Sequence, residues 1–253
     1  MKETTIYYSL LIALCAVGVI VFIALFFVVA PYGRHARKGW GYSIGSKLAW
    51  IIMEAPSPII FALCFIMGNV RINAPIIIFL CLYEAHYIHR AFIYPFSLRG
   101  SERRMPLSII AFAIIFNVLN GYLNGRYLFT FSGGYDTSWL IDPRFILGVS
   151  LFVIGYVINR DADQALRGLR KPGESGYKIC YSRFYKMVSS PNYLGEIVIW
   201  TGWALATWSP AGLAFAFWTV ANLMPRARAN HAWYRRTFPD YPSERKALLP
   251  GIW

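Results

Sequence analysis

The sequence is poor in charge, and acidic residues are especially scarce. Charged residues occupy 15% of the 253 positions and only 12 of them are Asp or Glu, whereas 57% of the residues are hydrophobic. A chain with so little charge cannot cover a water-exposed surface in the way that soluble domains do. The composition therefore excludes an ordinary soluble enzyme and indicates an integral membrane protein.

Common signatures of cofactor and metal sites are also missing. The four cysteines, Cys15, Cys64, Cys81 and Cys180, have no paired spacing, which argues against a disulfide framework or a cysteine-based metal site. There is no GxGxxG after a strand and no GxxxxGK[ST], so Rossmann and P-loop nucleotide sites are excluded. A nucleotide, if one binds, must therefore bind between helices.

Seven apolar runs are predicted to cross the membrane, most of them near the length of about 20 residues that a bilayer requires. They cover residues 5–30, 48–69, 73–96, 106–128, 144–159, 193–209 and 210–225. The first run is too long for a signal peptide, and the fifth and sixth are expected to continue as helix into the polar residues beyond. We predict an all-α integral membrane protein with one domain, 1–253, in which 1–130 holds helices 1–4 and 131–253 holds helices 5–7.

The basic residues predict the orientation. Twenty of the 25 Lys and Arg residues lie in 31–47, 97–105, 160–191 and the C-terminal tail, which would all be at one side of the membrane. By the positive-inside rule, the N-terminus is outside and the C-terminus is cytoplasmic, in a bacterial inner membrane or the endoplasmic reticulum. Topology thus accounts for most of the net charge of +13, so no nucleic-acid partner is predicted, and no obligate protein partner is evident.

Several polar side chains inside the predicted spans recur with helical spacing. Glu54 lies seven residues beyond Lys47, about 10 Å into the bilayer, and is followed by the helix-disrupting APSP of 55–58. Ionisable residues at such depth usually face a cavity or a partner. The recurring residues are Tyr83, Tyr87, Arg90 and Tyr94 on the third helix, Asn159 and Asp163 on the fifth, and Asn192 and Glu196 on the sixth. We expect them to converge on a pocket that opens to the cytoplasm.

Two of these features have a plainer interpretation. A stripe of Asn117, Asn120 and Asn124 on the fourth helix is also typical of hydrogen bonding between membrane helices. The segment 160–191 mixes cations, turn residues and aromatics, as expected around a phosphate-bearing aromatic ligand, but such a loop also suits anionic lipid headgroups.

The chain resembles the steroid 5α-reductases along nearly its whole length. The C-terminal motifs that carry the resemblance are LRKPGESGYKI (169–179), SSPNYLGEIVIWTGWALATWSPAGLAFAF (189–217) and WYRRTFPDYPSERKALLPGIW (233–253). The N-terminal motifs are PYGRHA (31–36), MEAPS (53–57) and HYIHRAFIYPF (86–96).

The resemblance implies NADPH-dependent reduction of a 3-oxo-4-ene steroid to its 5α-dihydro form. The implied substrate-polarising residues match Glu54 and Tyr87, with Met53 and Asn120 also beside the substrate. Met53 and Asn120 depart from the family's usual residues, which leaves the preferred steroid open. The implied cofactor contacts match Arg90, Tyr94, Arg103, Asn159, Asp163, Arg170, Tyr177, Asn192, Glu196, His231, Tyr234 and Arg245.

The chemistry explains the need for two acids. Conjugate hydride addition to an enone builds negative charge on the carbonyl oxygen. A Tyr hydroxyl and a protonated Glu could donate hydrogen bonds to that oxygen, and each such donor is worth about 3 to 4 kcal/mol. We therefore expect Glu54→Ala to be more damaging than Glu54→Gln, which keeps a donor.

Three alternatives stay open. The nearest is a reductase of another apolar enone or enoyl lipid. A methyltransferase of the isoprenylcysteine or phospholipid type, using S-adenosylmethionine, shares the C-terminal motifs but needs no carbonyl-polarising acid such as Glu54. A lipid-binding or transport protein would be expected to show inverted repeats, and the sequence shows none.

Overall fold

Helices dominate the computed structural model, which describes the whole chain except residues 1, 32, 36, 38, 98–103, 170–173 and 175. The α-helices are α1 (Glu3–Phe27), α2 (Ser46–Glu54), α3 (Pro56–Ile66), α4 (Ala74–Ile88), α5 (Tyr94–Ser97), α6 (Leu107–Arg126), α7 (Pro143–Gly168), α8 (Pro191–Thr207) and α9 (Pro210–Thr237). Two π-helical turns, His89–Ile93 and Tyr127–Phe131, extend α4 and α6. Shorter 3₁₀ turns occur at Gly33–His35, Thr137–Ile141 and Arg183–Lys186.

Five helical stretches are long and apolar enough to cross a bilayer. They are Glu3–Phe27, Ser46–Ile66, Ala74–Ser97, Leu107–Phe131 and Pro143–Gly168. Five of the seven predicted runs thus meet the requirements of a span, and the chain is an integral membrane protein. For α8, with 17 residues, and for α9, whose second half is polar, the crossing stays a prediction.

The helix ends mostly agree with the sequence signals. The fifth predicted run continues beyond residue 159 to Gly168, as expected. The sixth, predicted at 193–209, begins two residues earlier at Pro191 but ends at Thr207, so the expected continuation beyond 209 is wrong. The run at 48–69 is divided where α2 ends at Glu54 and α3 begins at Pro56. Proline lacks an N–H and fits the first turn of a helix, so the APSP segment starts a new helix directly after the carboxylate.

The prediction of an all-α fold is wrong in one detail. Strand β1 (Ser43–Gly45) pairs antiparallel with β2 (Arg104–Pro106), with Ser43 opposite Pro106 and Gly45 opposite Arg104. Three-residue strands are too short to show a period of two, which is why the sequence did not reveal them. The ribbon joins the segments that lead into α2 and α6, so the ends of the basic segments 31–47 and 97–105 lie at the same end of the molecule.

Close packing of α7 against α8 positions the polar residues of both helices. A Cβ atom on Gly155 would lie 2.6 Å from the Ile199 backbone nitrogen, and one on Gly195 would lie 2.6 Å from that of Asn159. Only glycine permits such an approach, as in other membrane helix pairs with small residues at the interface. The contact brings Asn159 of α7 beside Glu196 of α8.

The core is aromatic and the outer surface is apolar. The rings of Phe61 and Tyr83 stack with centroids 3.8 Å apart, and Trp203 is fully buried beside them. Facing outward, Ile20 is 66% exposed and Phe112 is 68% exposed. An apolar exterior around a core that also contains amides and carboxylates is the distribution expected inside lipid.

Candidate active site

Arg90 joins three helices at the centre of the site. Its Nε donates to Glu54 Oε1 at 3.3 Å, and its Nη1 donates to Glu196 Oε1 at 2.9 Å. The guanidinium also lies 5.0 Å from the ring centroid of Trp50. Arg90 belongs to the π-helical turn, which adds a residue to the helical repeat and is common at functional sites.

Glu196 is surrounded by donors. In addition to Arg90, it accepts from Asn159 Nδ2 at 3.1 Å and from Trp200 Nε1 at 3.0 Å. His86 Nε2 lies 3.6 Å from the other side of the carboxylate. The structure thus brings together the predicted residues Arg90, Asn159 and Glu196 with Glu54, in a group that we call the charge cluster (Glu54, Arg90, Asn159, Glu196).

The pairs on α7 and α8 continue the charge cluster. Asn159 Nδ2 also donates to the Asn192 carbonyl at 2.9 Å, and Asn192 Nδ2 lies 3.4 Å from Asp163 Oδ1. Asp163 is buried. These contacts place amide and carboxylate groups along one line between the two helices.

Tyr87 belongs to a neighbouring hydrogen-bond network. Asn120 Nδ2 donates to the Tyr87 hydroxyl at 3.0 Å and to the Tyr83 hydroxyl at 3.0 Å. Ser57 Oγ lies 2.7 Å from the Tyr83 hydroxyl. Among the described side chains no hydrogen bond joins Tyr87 directly to Glu54, so the two predicted catalytic groups are held by separate networks.

The direction of these hydrogen bonds follows from the one group that can only donate. Trp203 Nε1 donates to Asn124 Oδ1 at 2.8 Å, so the Asn124 amide nitrogen faces Asn120 and donates to its Oδ1 at 2.9 Å. The Asn120 nitrogen must then face the tyrosines. Because Asn120 donates to the Tyr87 oxygen, the Tyr87 hydroxyl hydrogen can be donated elsewhere.

The asparagine stripe is confirmed as a set of contacts between helices. Asn117 Nδ2 donates to the Met53 carbonyl at 2.6 Å, which ties α6 to α2. The Met53 side chain lies in a separate apolar cluster with Ala49, Met105 and Ile110. The structure therefore does not bring the Met53 side chain together with Tyr87.

A second group forms what we call the aromatic layer (Arg34, Tyr177, Ser189, His231, Trp233, Tyr234, Tyr241, Arg245), of which Tyr177, His231, Tyr234 and Arg245 were predicted. The Arg34 guanidinium lies 4.4 Å from the ring centroid of Tyr234, 5.1 Å from that of Trp233 and 5.2 Å from that of Tyr177. Its Nη1 is buried and has no hydrogen-bond partner in the described part of the chain.

Ser189 and Arg245 organise the rest of the aromatic layer. Ser189 Oγ lies 2.7 Å from His231 Nδ1 and 2.6 Å from the Tyr241 hydroxyl. The Arg245 guanidinium lies 4.8 Å from the Tyr241 ring centroid and is 3% exposed. Its Nε, like Arg34 Nη1, is buried without a partner among the described residues. Tyr234 stacks on Tyr241 at a centroid distance of 5.1 Å.

Of the other predicted cofactor residues, Tyr94 lies near the charge cluster, and two are outside the described part of the chain. Tyr94 packs edge-on against Trp50, with centroids 5.2 Å apart, and so adjoins Arg90. Arg103 and Arg170 lie outside the described residues. Sequence reasoning missed Arg34: it occurs in the PYGRHA motif, but a single arginine in a basic loop also looks like an interfacial anchor.

His35 lies next to Arg34, at the edge of the aromatic layer. Its Nε2 is 3.1 Å from Asn230 Oδ1. Burial lowers the pKa of His35 below its ordinary value of 6.5, because desolvation disfavours the charged ring, and the nearby Arg34 acts in the same direction.

Comparison with known proteins gives consistent matches. The model of the family described as 3-oxo-5-alpha-steroid 4-dehydrogenase matches residues 103–253. The steroid 5-alpha-reductase DET2 of Gossypium hirsutum is 40% identical over 256 residues, covering 100% of this chain and 99% of the relative. The 3-oxo-5-alpha-steroid 4-dehydrogenase 1 of Bos taurus is 42% identical, covering 94% of this chain and 93% of the relative. The protein of the same name from Homo sapiens is 42% identical, covering 94% and 92%.

Proposed function

The chain belongs to the 3-oxo-5-alpha-steroid 4-dehydrogenase family, and from that premise we propose that it reduces the 4,5 double bond of 3-oxo-4-ene steroids with NADPH, giving 5α-dihydrosteroids. Its class is that of an oxidoreductase acting on CH–CH groups. One observation carries the proposal. In a chain of this family, the buried charge cluster occurs together with Tyr87, whose hydroxyl hydrogen is available to a ligand.

The residues present fit NADPH. The Asn159 amide and the Asp163 and Glu196 carboxylates suit the carboxamide and ribose hydroxyls of the cofactor. Arg34 and Arg245 have buried N–H groups without partners among the described residues, and such groups suit phosphate oxygens. When bound, NADPH supplies the hydride that is transferred to the steroid.

Tyr87 is the first donor that we assign to the steroid carbonyl. Asn120 fixes the orientation of the hydroxyl by donating to its oxygen. The hydroxyl hydrogen can then be donated to the steroid carbonyl oxygen, on which negative charge develops. Asn120 is thus a positioning residue that acts through Tyr87.

Glu54 is the second donor. Arg90 contributes one positive charge between two buried carboxylates, so the charge cluster would have a net negative charge if both were ionised. Because burying an unbalanced charge is costly, we expect the cluster to hold one proton. Glu196 accepts from Arg90, Asn159 and Trp200 at 2.9 to 3.1 Å, whereas the contact of Glu54 with Arg90 is longer, at 3.3 Å, which favours the proton on Glu54.

For the topology we propose that α8 and α9 also cross the bilayer, which gives seven spans with the N-terminus outside and the C-terminus in the cytoplasm. The basic loops support this orientation. The substrate-side half would be 1–130 and the cofactor-side half 131–253, with the cofactor entering from the cytoplasm. A flat apolar steroid can reach the site from the membrane lipid.

The test is mass-spectrometric detection of product after incubation of the detergent-purified protein with testosterone or progesterone and NADPH. We expect a 5α-dihydro product from the wild type. Loss of one donor should reduce kcat by roughly 10²- to 10³-fold in Glu54→Ala, and by less in Glu54→Gln, which keeps a donor.

Each negative result of this experiment would contradict a different part of the proposal. Equal activity of Glu54→Ala and the wild type would contradict the role of Glu54. Binding of NADPH without steroid product would direct the search to another apolar enone or enoyl lipid. Absence of NADPH binding would contradict the reductase proposal and favour the methyltransferase alternative.

A further inference from the structure

A groove of about 350 Å³ lies on the outer face of α7, and none of its lining residues belongs to the charge cluster or the aromatic layer. Its lining residues are Tyr156, Val157, Arg160, Asp161, Gln164 and Arg167. On the same helix Asn159 and Asp163 are each 7% exposed and face α8, whereas Gln164 is exposed. The groove is therefore on a face of α7 that neither the charge cluster nor the aromatic layer uses.

Arginines outnumber acids in the lining of this groove, with Arg160 and Arg167 against Asp161. Arg160 makes one hydrogen bond within the described part of the chain, from Nη1 to His89 Nδ1 at 3.1 Å. Arginine has only donors, so His89 Nδ1 must accept and the ring hydrogen is on Nε2. That Nε2 is buried and has no partner among the described residues. Asp161, the one acid of the lining, is paired with Arg183 through Oδ1, and its buried Oδ2 has no partner among the described residues.

The position of the groove along α7 is that of a membrane interface. Val153, Ile154 and Val157 are 49%, 52% and 58% exposed, so the outer face is apolar up to the point at which Arg160 begins the polar end. Near the other end of α7, Arg144 lies 4.4 Å from the Trp139 ring centroid. The 16 residues from Arg144 to Arg160 span about 24 Å, which approaches the thickness of the hydrocarbon core.

We propose that this groove binds the phosphate of an anionic phospholipid. Arg160 supplies N–H groups to the phosphate, Arg167 adds positive charge, and Val157 and Tyr156 cover the glycerol end of the acyl chains. The continuous apolar surface from Val153 to Val157 favours a lipid over a free phosphate. Only a lipid has both an acyl chain that covers this surface and a phosphate that pairs with the arginines.

Native mass spectrometry of the full-length protein in detergent tests the proposal. Phosphatidylglycerol and phosphatidylcholine with identical acyl chains are compared for the wild type, Arg160→Gln and Gln164→Glu. We expect preferential binding of phosphatidylglycerol by the wild type, reduced about fivefold in Arg160→Gln, the change expected for one Lys or Arg near an anionic surface. Gln164→Glu should reduce it by like-charge repulsion without breaking the contact with His89.

Arg236→Gln is the matched control, because Arg236 is an exposed arginine of the last turn of α9, outside the groove. It should retain the wild-type preference. Equal binding of the two lipids, or the same loss in Arg236→Gln as in Arg160→Gln, would overturn the proposal. Displacement of bound phosphatidylglycerol by inorganic phosphate would assign the groove to a soluble phosphate instead. The assay contains neither steroid nor NADPH, so its result is independent of the proposed reductase function.

Discussion

The charge cluster and the aromatic layer hold buried arginines in opposite ways. In the charge cluster, Arg90 is paired with two carboxylates at 2.9 and 3.3 Å. In the aromatic layer, Arg34 and Arg245 lie over tyrosine rings at 4.4 and 4.8 Å, and each keeps a buried N–H group without a partner in the described part of the chain.

Because their arginines are held differently, the two regions are suited to bind different groups. An arginine that is paired with carboxylates has used its donors and fixes the helices that carry its partners. Aromatic rings attract a guanidinium through their faces and leave its N–H groups unused. The charge cluster is thus held in place by its own ion pairs for the uncharged groups of the proposed ligands, and the aromatic layer is suited to an external anion such as a cofactor phosphate.

The largest effect should come from breaking the charge cluster. Arg90→Leu leaves the buried Glu196 carboxylate and the Glu54 carboxyl group without their shared cation, and removal of one partner of a buried pair typically costs about 3 to 5 kcal/mol. We expect a loss of that order in the free energy of unfolding, measured by denaturant titration in detergent. The control is Arg126→Gln, which removes the pair with the half-exposed Glu3 and should cost less than about 1 kcal/mol. Similar losses of free energy of unfolding in Arg90→Leu and Arg126→Gln would contradict the structural role that we assign to the charge cluster.

The second effect concerns catalysis. Tyr87→Phe removes the hydroxyl that we assign to the steroid carbonyl, and kcat should fall roughly 10²- to 10³-fold. Tyr83→Phe is the matched control, because Tyr83 accepts from the same Asn120 amide and stacks on Phe61, but we assign it no contact with substrate. The ratio of the two kcat values measures the role of Tyr87. If both variants lose the same activity, the hydrogen-bond network matters and the individual hydroxyl does not.

A third variant tests the aromatic layer. Arg34→Gln removes a cation that we assign to a cofactor phosphate, and one hydrogen bond to a charged group is worth about 1.5 kcal/mol. We expect the KM for NADPH to rise about tenfold while kcat changes little. Arg228→Gln removes an exposed arginine that lies 5.6 Å from the Phe26 ring centroid and should leave the KM unchanged. An unchanged KM in Arg34→Gln would remove Arg34 from the cofactor site.

The smallest effect is a pH dependence at the edge of the aromatic layer. The pKa of His35 is lowered in the folded protein, so the unfolded chain takes up a proton first as the pH falls through 6.5. The stability contribution of His35 is therefore complete above that pH and is lost below it. His35→Gln can still donate to Asn230 but does not titrate, so the free energy of unfolding of the wild type minus that of His35→Gln should become more positive from pH 5.5 to 7.5. A difference that is constant with pH would show that His35 does not titrate in this way.

Particular residues show how far sequence reasoning reached. The i, i+4 pairs Asn159–Asp163 and Asn192–Glu196 were predicted from spacing, and the structure joins them. Arg90 was expected on a regular helical stripe, but its contact with Glu54 depends on a π-helical turn. Such a turn depends on packing with neighbouring helices and has no pattern in a single sequence.

Local patterns in the chain are sufficient to predict the membrane class, the approximate spans, the break after Glu54 and the residues that could carry the chemistry. Hydrophobic runs and proline act locally, so these features can be inferred without contacts between distant segments. Other features depend on how the helices pack: Arg90 pairs with both Glu54 and Glu196, Asn120 donates to Tyr87, and Arg34 lies among Tyr177, Trp233 and Tyr234. These contacts join residues from 33 to 200 positions apart, and helix packing, which no local pattern encodes, brings them together.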